Sequence, residues 1–200
     1  MAITNGYGTL QGYKDRFGIE DTKDDLVIEA TITATSRLID ELSWQRFYTT
    51  ASDETRYFTA SHGDYLNPGL PIVSITTLKT DRDGDRTYET TWATTDYDLM
   101  PFNATLNGKP YDWIQVTPNG DNSFPKIAKG VEIAGKFGWS STPDTVVQAC
   151  YLGAHRLMKR LDTPLGVSAA AALGQLQVKV ESLRTDPEFL ALVNIEKRQY

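Results

Sequence analysis

The chain has little of the chemistry that builds covalent frameworks and metal centres. Its 200 residues include one cysteine, Cys150, and two histidines, His62 and His155. A single cysteine excludes an intramolecular disulfide and a cysteine-rich zinc site. We therefore expect a fold that depends on packing alone, without a structural metal or a cofactor, and that forms in a reducing cytoplasm.

Long apolar runs and positive charge are also missing. Residues 1–18 lack the basic and then apolar pattern of a signal peptide, and no later stretch approaches the ~20 apolar residues of a membrane span. We expect a soluble protein that does not contact a membrane. The formal net charge of −6 argues against tight wrapping of nucleic acid, because such binding needs a basic surface. A position next to DNA remains compatible with this charge.

Residues 9 to 48 have a helical pattern. Thr9 is typical of an N-cap and Gly18 of a helix end, while Thr22 and Asp25 together predict a capping box for a second helix. Alternating isoleucines and threonines within the second helix also fit a strand. The cap and the end of the stretch fit only the helical period, which predicts the apolar stripe Leu26, Val27, Ala30, Ala34, Leu38 and Leu42.

The middle of the chain, roughly residues 55 to 139, has a different pattern. Short runs rich in β-branched and aromatic residues alternate with glycine, proline, asparagine and aspartate, which predicts antiparallel hairpins. We expect Asp83 and Gly84 to supply the positive φ angles of one hairpin turn. A helix through Ile72 to Lys79 would contradict this interpretation.

These patterns together predict an α+β fold in which N- and C-terminal helices form a helical bundle with an inserted antiparallel β-rich lobe. We expect a single domain over residues 1–200. Its parts are N-terminal helices at 1–54, the β-rich insertion at 55–140, a helix at 141–161, and a flexible loop with a C-terminal segment at 162–200. We expect the loop at 162–180 to be mobile in the free protein and to order only against partners.

The stretch "GWSSTPDTVVQACYLGAH" (138–155) invites a cysteine–histidine pair. Thr142 as a cap, with Pro143 after it, predicts a helix through the rest of the stretch. Five residues along a helix correspond to a rotation of about 500°, so Cys150 and His155 point some 140° apart and cannot be partners. Cys150 lies on the apolar side, where a free cysteine is typically a small buried hydrophobe.

The other candidate motifs also have structural explanations. The acidic stretch that begins at Asp81 lacks the glycine and glutamate positions of an EF-hand loop and is interpreted as a hairpin turn. "SHGD" at 61–64 is interpreted as a solvated turn, because real catalytic triads converge from distant positions. Without interleaved basic residues, a stacking platform for nucleic acid is not indicated, and a core role is expected for the aromatics Trp92, Trp113, Phe137 and Trp139.

The order of segments along nearly the whole chain resembles the head-tail connector, or adaptor, family of tailed bacteriophages and related gene-transfer particles. The resemblance rests on "LPIVSIT", on "FGW" followed by a proline-started helix, and on "PLGVS" before an Asp-Pro helix. The C-terminus departs from the family, which usually ends in a proline- and arginine-rich tail, whereas this chain ends "VNIEKRQY".

The resemblance implies a structural virion protein of the neck rather than an enzyme. It implies a homo-oligomeric ring of twelve subunits under the portal protein, where the ring extends the DNA channel and seats a stopper or tail-terminator protein. Genomic DNA would pass through without sequence-specific binding. A net acidic chain agrees with this, because a strongly positive channel lining would hold the DNA.

We expect the C-terminal segment to make the contact with portal. After Asp186 as a cap, it predicts a short helix with an apolar stripe and two basic residues at its end. A helix this short needs its stripe buried on something, and the alternative is packing on its own subunit. The long preceding loop favours the portal contact, for which the expected residues are Phe189, Leu190, Val193, Lys197 and Arg198.

Two other classes of function remain as alternatives. One is a small hydrolase that uses Ser61, His62 and an aspartate on the β lobe, although a nucleophile elbow is missing. The other is a carbohydrate-binding β module with aromatic contacts at Trp92 and Trp113, which leaves the flanking helices unexplained.

Overall fold

The computed structural model describes residues 3–118, 120–161 and 182–195. Within these residues the chain forms four α-helices and two antiparallel sheets, which confirms the predicted mixed α+β class. The chain divides into two compact units: unit 1 is Met1–Arg46 with Thr142–Tyr200, and unit 2 is Phe47–Ser141. The loop at 162–180, predicted to be mobile, lies outside the described residues. That the 200 residues act as a single connector domain stays a prediction.

Helix α1 spans Leu10–Phe17 and has both of its predicted ends. The Thr9 hydroxyl accepts a hydrogen bond from the Gly12 amide at 3.0 Å. Gly18 ends the helix in the left-handed conformation, with φ at 66°. Glycine adopts this conformation without the steric penalty of a Cβ, which is why Gly18 in the sequence predicted the end of the helix.

Helix α2 spans Asp25–Ser43, which confirms the helical alternative over the strand. Inside the helix the Thr31 and Thr33 hydroxyls donate to the carbonyl oxygens of Ile28 and Glu29 at 2.9 and 2.8 Å. The threonines that favoured a strand are thus accommodated by the helix backbone. The predicted capping box is wrong, because Asp24 is the N-cap and no side chain caps the first turn.

The predicted buried face of α2 is wrong in four of its six residues, whereas Leu38 and Leu42 are half-buried. Leu26 is 69% exposed and Val27 38% exposed, and Ala30 and Ala34 are exposed as well. The helix has two apolar faces, and the one carrying the isoleucines packs into unit 1. Its buried residues are Ile28, Ile32, Thr35, Ser36, Ile39 and Ser43.

Helices α3 (Asp144–Leu161) and α4 (Pro187–Ile195) complete unit 1, and a 3₁₀ turn at Leu183–Thr185 precedes α4. Asp186 caps α4 as predicted, because its carboxylate accepts a hydrogen bond from the Phe189 amide at 3.0 Å. None of the described helices combines the length and apolar character that a membrane crossing requires. The core of the unit also contains Tyr7, Tyr13, Val146, Ala149, Cys150, Ala154, Leu183, Phe189 and Val193.

Unit 2 contains two antiparallel sheets, as the turn pattern predicted. The strands are β1 (Glu54–Phe58), β2 (Tyr65–Leu66), β3 (Ile72–Thr80), β4 (Thr90–Thr91), β5 (Tyr97–Met100), β6 (Trp113–Val116) and β7 (Val131–Phe137). One sheet has the order β1-β7-β3-β4 and the other the order β2-β6-β5. The segment from Ile72 to Lys79 is strand and not helix, as expected.

Strands β3 and β7 form the centre of the first sheet. Buried and half-buried residues alternate along β7, the pattern of a strand with one face in the core. A Cβ added at Gly135 would lie 2.2 Å from the carbonyl oxygen of Ser74, so only glycine permits this approach of the two strands. The core of the unit is built by Leu66, Ile72, Leu78, Trp92, Ile114, Phe124, Val131, Ile133 and Phe137.

Candidate functional site

Cys150 is a core residue between α3 and α2. Its side chain is fully buried, and Sγ lies 3.5 Å from the Ser36 hydroxyl and 3.8 Å from the carbonyl oxygen of Ile32. Burial raises the pKa of the Cys150 thiol to about 11. Because the thiolate is the reactive form, these surroundings suit a structural cysteine and not a nucleophile. The predicted structural role is confirmed.

His155 contacts α1 and not the cysteine. Its ring stacks on Phe17 with centroids 4.0 Å apart, and Nδ1 lies 3.1 Å from the Tyr13 hydroxyl. Burial, together with the nearby positive charge of Lys159, lowers the pKa of His155 below its ordinary value. The two residues therefore serve two different helix contacts, as their separation along α3 predicted.

The segment Ser61–Asp64 forms the turn between β1 and β2. Ser61 and His62 are exposed, and the His62 ring stacks on Tyr65 at 4.4 Å. The backbone carbonyl of Asp64 accepts a hydrogen bond from the Val116 amide at 2.8 Å. In the part of the chain that the structure describes, no hydrogen bond joins the Ser61, His62 and Asp64 side chains. The residues that a triad would use are thus organised as a turn.

The loop at 81–89 connects the paired strands β3 and β4, which confirms the hairpin. The buried Asp81 carboxylate accepts hydrogen bonds from the amides of Asp83, Gly84 and Arg86 at 3.2, 2.7 and 2.9 Å. Burial alone raises the pKa of this carboxyl, but the hydrogen bonds from Gly84 and Arg86 outweigh it and hold the pKa below the ordinary value. The carboxylates of Asp81, Asp83 and Asp85 lie within 4.8 Å of one another.

The turn geometry of this loop differs from the prediction in one residue. The positive φ angles belong to Gly84, at 86°, and Arg86, at 75°, and not to Asp83. The reason is that the connection is longer than a two-residue hairpin turn. Its conformation is set by the Asp81 carboxylate, which accepts hydrogen bonds from the amides of Asp83, Gly84 and Arg86, rather than by an Asp-Gly pair alone.

The aromatic residues considered for nucleic-acid stacking are mostly in the core. Trp92, Phe137 and Trp139 are 5%, 2% and 5% exposed, and Trp113 is half-buried. The Trp92 indole nitrogen donates to the Thr80 hydroxyl at 3.1 Å, and its ring stacks on Phe124 at 4.6 Å. The core interpretation is therefore confirmed for the three buried rings.

Of the five residues expected to contact portal, three lie in α4 and two lie outside the described residues. Phe189 and Val193 are fully buried within unit 1, and Leu190 is half-buried. Lys197 and Arg198 lie outside the described residues. The apolar stripe of α4 therefore packs on its own subunit, the alternative that sequence left open. A portal contact by the C-terminal segment stays a prediction.

Two exposed apolar surfaces were not identified as functional from the sequence. The first, which we call the α2 outer face, consists of Leu26, Val27, Ala30 and Ala34. The second, which we call the β5–β6 tip, consists of Phe102 and Leu106, which are 62% and 83% exposed. Helical periodicity detected the α2 stripe but assigned it to the core. The β5–β6 tip lies in a segment rich in turn residues. Two apolar residues within such a segment were the sequence feature that could have indicated this surface.

Comparison with known proteins gives a result at the level of structure. The chain matches no protein-family model and no curated protein sequence. Solved structures do match, and three of them match over all of this chain at 17% sequence identity each. The neck of an empty GTA particle, computed with C6 symmetry, contains a chain that is covered over 94% of its length with a TM-score of 0.54.

The other two structures come from native particles. The neck of a native GTA particle, computed with C12 symmetry, gives a TM-score of 0.55 with 93% of that chain covered. The virion of a native gene transfer agent particle gives 0.54 with 94% covered. The chain has the fold of these neck chains. The predicted resemblance to head-tail connectors of phages and gene-transfer particles is thus confirmed at the level of the fold.

Proposed function

We propose that this chain is a structural head-tail connector in the neck of a phage-like particle. In this proposal it forms a ring below the portal protein, extends the DNA channel and presents the docking surface for a stopper or tail-terminator protein. The observation that carries the proposal is the likeness, over the full length of the chain, to chains from gene transfer agent neck structures. The function of the chain is thus assembly and not catalysis.

The proposed ring has twelve subunits. The two neck structures that share the fold were computed with C6 and C12 symmetry, and both symmetries are compatible with a ring of twelve. A ring arises when one head-to-tail interface repeats and closes, so each subunit must carry two different contact surfaces. We propose that the four helices act as one bundle in the ring and carry the β-rich lobe as an insertion.

The charge of the chain supports a passive channel. Dense positive charge on a channel lining would retain DNA through counterion release. The net charge of −6 agrees with a ring whose lining lacks such charge. Genomic DNA would then pass without sequence-specific contacts.

The C-terminal segment remains the proposed contact with portal, with the roles of its residues divided. Phe189 and Val193 hold α4 against its own unit, since both are fully buried. The portal contact would then come from the accessible side of the helix, which includes Ile195, 63% exposed, and from Lys197 and Arg198, which follow it in the sequence.

Neither alternative function gains support from a specific contact. A hydrolase would require Ser61 and His62 to face each other, whereas His62 stacks on Tyr65. A carbohydrate site at Trp92 would require an accessible ring face, whereas this ring is 5% exposed and stacks on Phe124.

The test is to locate the chain in the particle. A peptide tag inserted after Ser52, an exposed position before β1, is labelled with gold in purified particles and viewed by electron microscopy. We expect label in the neck between head and tail. A matched insertion in the major capsid protein should label the head. Particles that lack the chain, or that carry label only on the head or the tail tip, would refute the proposed function.

A further inference from the structure

The chain contains three asparagine–glycine pairs, at residues 5–6, 107–108 and 119–120. An asparagine in such a pair can lose ammonia without an enzyme, because the glycine has no side chain to shield the backbone nitrogen that attacks. Asparagine is for this reason one of the thermolabile residues of proteins. The three glycine nitrogens have different surroundings in the fold, which makes the three pairs unequal.

The reaction needs the glycine nitrogen to turn toward the preceding side chain. This nitrogen forms a bond to Cγ of the asparagine, and solvent carries its proton to the side-chain nitrogen, which breaks its bond to Cγ and leaves as ammonia. Water then opens the five-membered imide at either carbonyl and gives aspartate or isoaspartate. The peptide plane between the two residues must rotate in the first step, so a contact that fixes this plane slows the reaction.

In two of the pairs a turn holds the glycine nitrogen. The Gly108 amide donates to the carbonyl of Thr105 at 3.1 Å, and the Gly120 amide donates to the carbonyl of Thr117 at 2.9 Å. Attack on the asparagine side chain would take each nitrogen away from its acceptor, so a backbone hydrogen bond must break before the reaction starts. Asn119 lies outside the described residues, and for the third pair the observation is that of the Gly120 amide.

The peptide plane between Asn5 and Gly6 is held less firmly. The Gly6 amide forms no hydrogen bond with any residue that the structure describes. Asn5 is exposed and has a φ of 51°, in the left-handed region that asparagine tolerates. Its carbonyl accepts a hydrogen bond from Nη2 of Arg37 at 2.6 Å, but the Arg37 side chain is 41% exposed. An exposed arginine exchanges such a bond for water at little cost, so the plane can rotate.

Packing requires the glycine of this first pair. A Cβ added at Gly6 would lie 2.2 Å from Cγ2 of Ile3, a distance that real Cβ atoms essentially never show. A larger residue at position 6 would therefore have to displace Ile3. The fold thus keeps a glycine, the neighbour that favours the reaction, directly after an exposed asparagine.

We propose that Asn5 is a modification site of this chain, at which deamidation converts the Asn5–Gly6 pair to aspartate or isoaspartate before the other two pairs react. The reaction needs water and no enzyme. The inference is independent of the connector function.

The modification would alter the segment that anchors the N-terminus on α2. Tyr7 is 3% exposed, its amide donates to the Ser36 hydroxyl at 3.0 Å, and its own hydroxyl donates to the Asp40 carboxylate. Isoaspartate adds one methylene group to the backbone two residues before this anchor. The added length shifts the backbone next to Tyr7, so the modified chain holds its N-terminal segment on α2 less tightly.

Peptide mapping of aged protein tests the site. The full chain is kept at mildly alkaline pH, sampled over days and digested, and mass spectrometry with fragmentation follows the conversion of each asparagine. In the folded chain we expect Asn5 to convert about two to ten times faster than Asn107 and Asn119, the factor that corresponds to one backbone hydrogen bond. Conversion of Asn107 or Asn119 as fast as Asn5 would show that the assignment is wrong.

The matched control is the same chain unfolded in urea. Unfolding removes the turns that hold the Gly108 and Gly120 amides, so the three pairs should convert at similar rates there. If Asn5 keeps its full advantage in urea, the local sequence and not the fold makes it reactive, and the proposal is wrong.

An Asn5→Gln variant tests the effect on the N-terminal segment. Glutamine keeps the amide group, but its longer side chain cyclises far more slowly. Hydrogen exchange of the Tyr7 amide is compared in fresh and aged samples, with isoaspartate measured by an isoaspartyl methyltransferase. We expect faster exchange in the aged unmodified chain and unchanged exchange in aged Asn5→Gln. Equal exchange in the two aged proteins would mean that modification of residue 5 leaves the anchor intact, which would overturn this effect.

Discussion

Gly153 of α3 lies against one edge of the ring of Phe189 of α4. A Cβ added at Gly153 would come within 2.9 Å of Cε2 of Phe189 and 2.6 Å of Cγ2 of Thr35, on α2. Both distances are shorter than real Cβ contacts, so the absence of a side chain at this position allows three helices to meet. The absence of a side chain at this position gives the fully buried Phe189 the space in which it packs on α3.

Gly153→Ala should therefore destabilise the protein. Alanine is favoured over glycine inside a helix by about 1 kcal/mol, whereas overpacking a core costs about 1–3 kcal/mol, so we expect a net loss of about 1 kcal/mol. Urea unfolding followed by circular dichroism measures it, with the exposed Gln148→Ala as the control. The loss should be smaller in a Phe189→Ala background. A stabilised Gly153→Ala protein would show that the helices are not in this contact.

Phe189→Ala tests whether α4 belongs to the core. Removing a fully buried phenylalanine should lower the free energy of unfolding by about 3–5 kcal/mol. Ile195→Ala, on the same helix but 63% exposed, should change it by less than about 0.5 kcal/mol. Equal effects would mean that α4 does not pack on unit 1. For the same reason, we expect deletion of residues 183–200 to destabilise the subunit. Loss of portal binding by that variant would then follow from unfolding as well as from loss of a contact.

Sequence reasoning succeeded where a local signal determines a local structure. The Thr9 and Gly18 caps, the strand at Ile72–Thr80 and the separation of Cys150 from His155 each follow from a few neighbouring residues. Sequence reasoning failed for the buried face of α2. Helical periodicity detects an apolar face, but where a helix has two such faces it does not predict which one is buried. The isoleucine face is buried and the Leu26 face is exposed.

The partner of α4 was also beyond sequence reasoning. Burial of Phe189 depends on the space at Gly153, which lies more than thirty residues earlier in the chain. A glycine within a helical pattern does not predict which distant side chain will pack on it. The loop after β3 shows the same limit on a smaller scale. The turn was predicted, but the role of Asp81 as acceptor for three amides depends on its burial, which the sequence does not display.

Cys150 should make stability depend on pH in the alkaline range. Burial raises its pKa from 9.0 to about 11, so the folded state holds the proton more tightly than the unfolded state. The stabilisation is complete below pH 9 and is lost as pH rises to about 11, by roughly 2–3 kcal/mol. Unfolding measured between pH 8 and pH 11 should show this fall.

Cys150→Ala is the control for the alkaline effect, because it removes the thiol while the tyrosines remain. Burial also raises the pKa values of Tyr13 and Tyr97, and their contributions are common to both proteins. We expect the stability advantage of the unmodified chain over Cys150→Ala to shrink across this pH range. A constant difference would mean that the thiol is ionised as easily in the folded state as in the unfolded one.

Asp81→Asn should destabilise the β3–β4 loop although it preserves the shape of the side chain. One carboxylate oxygen of Asp81 accepts from Asp83 and Gly84, and the other accepts from Arg86. An asparagine offers one acceptor oxygen, and its amide group would face an amide hydrogen, so a buried donor loses its partner. The melting temperature should fall clearly for Asp81→Asn and little for the exposed Asp83→Asn.

The same carboxylate should make stability depend on pH in the acid range. The folded-state pKa of Asp81 is lowered, so the contribution of this carboxylate to stability is present above the ordinary aspartate pKa and disappears as pH falls below it. The difference between the unmodified chain and Asp81→Asn should therefore narrow in acid, and a difference that widens there would contradict the hydrogen bonding of this carboxylate.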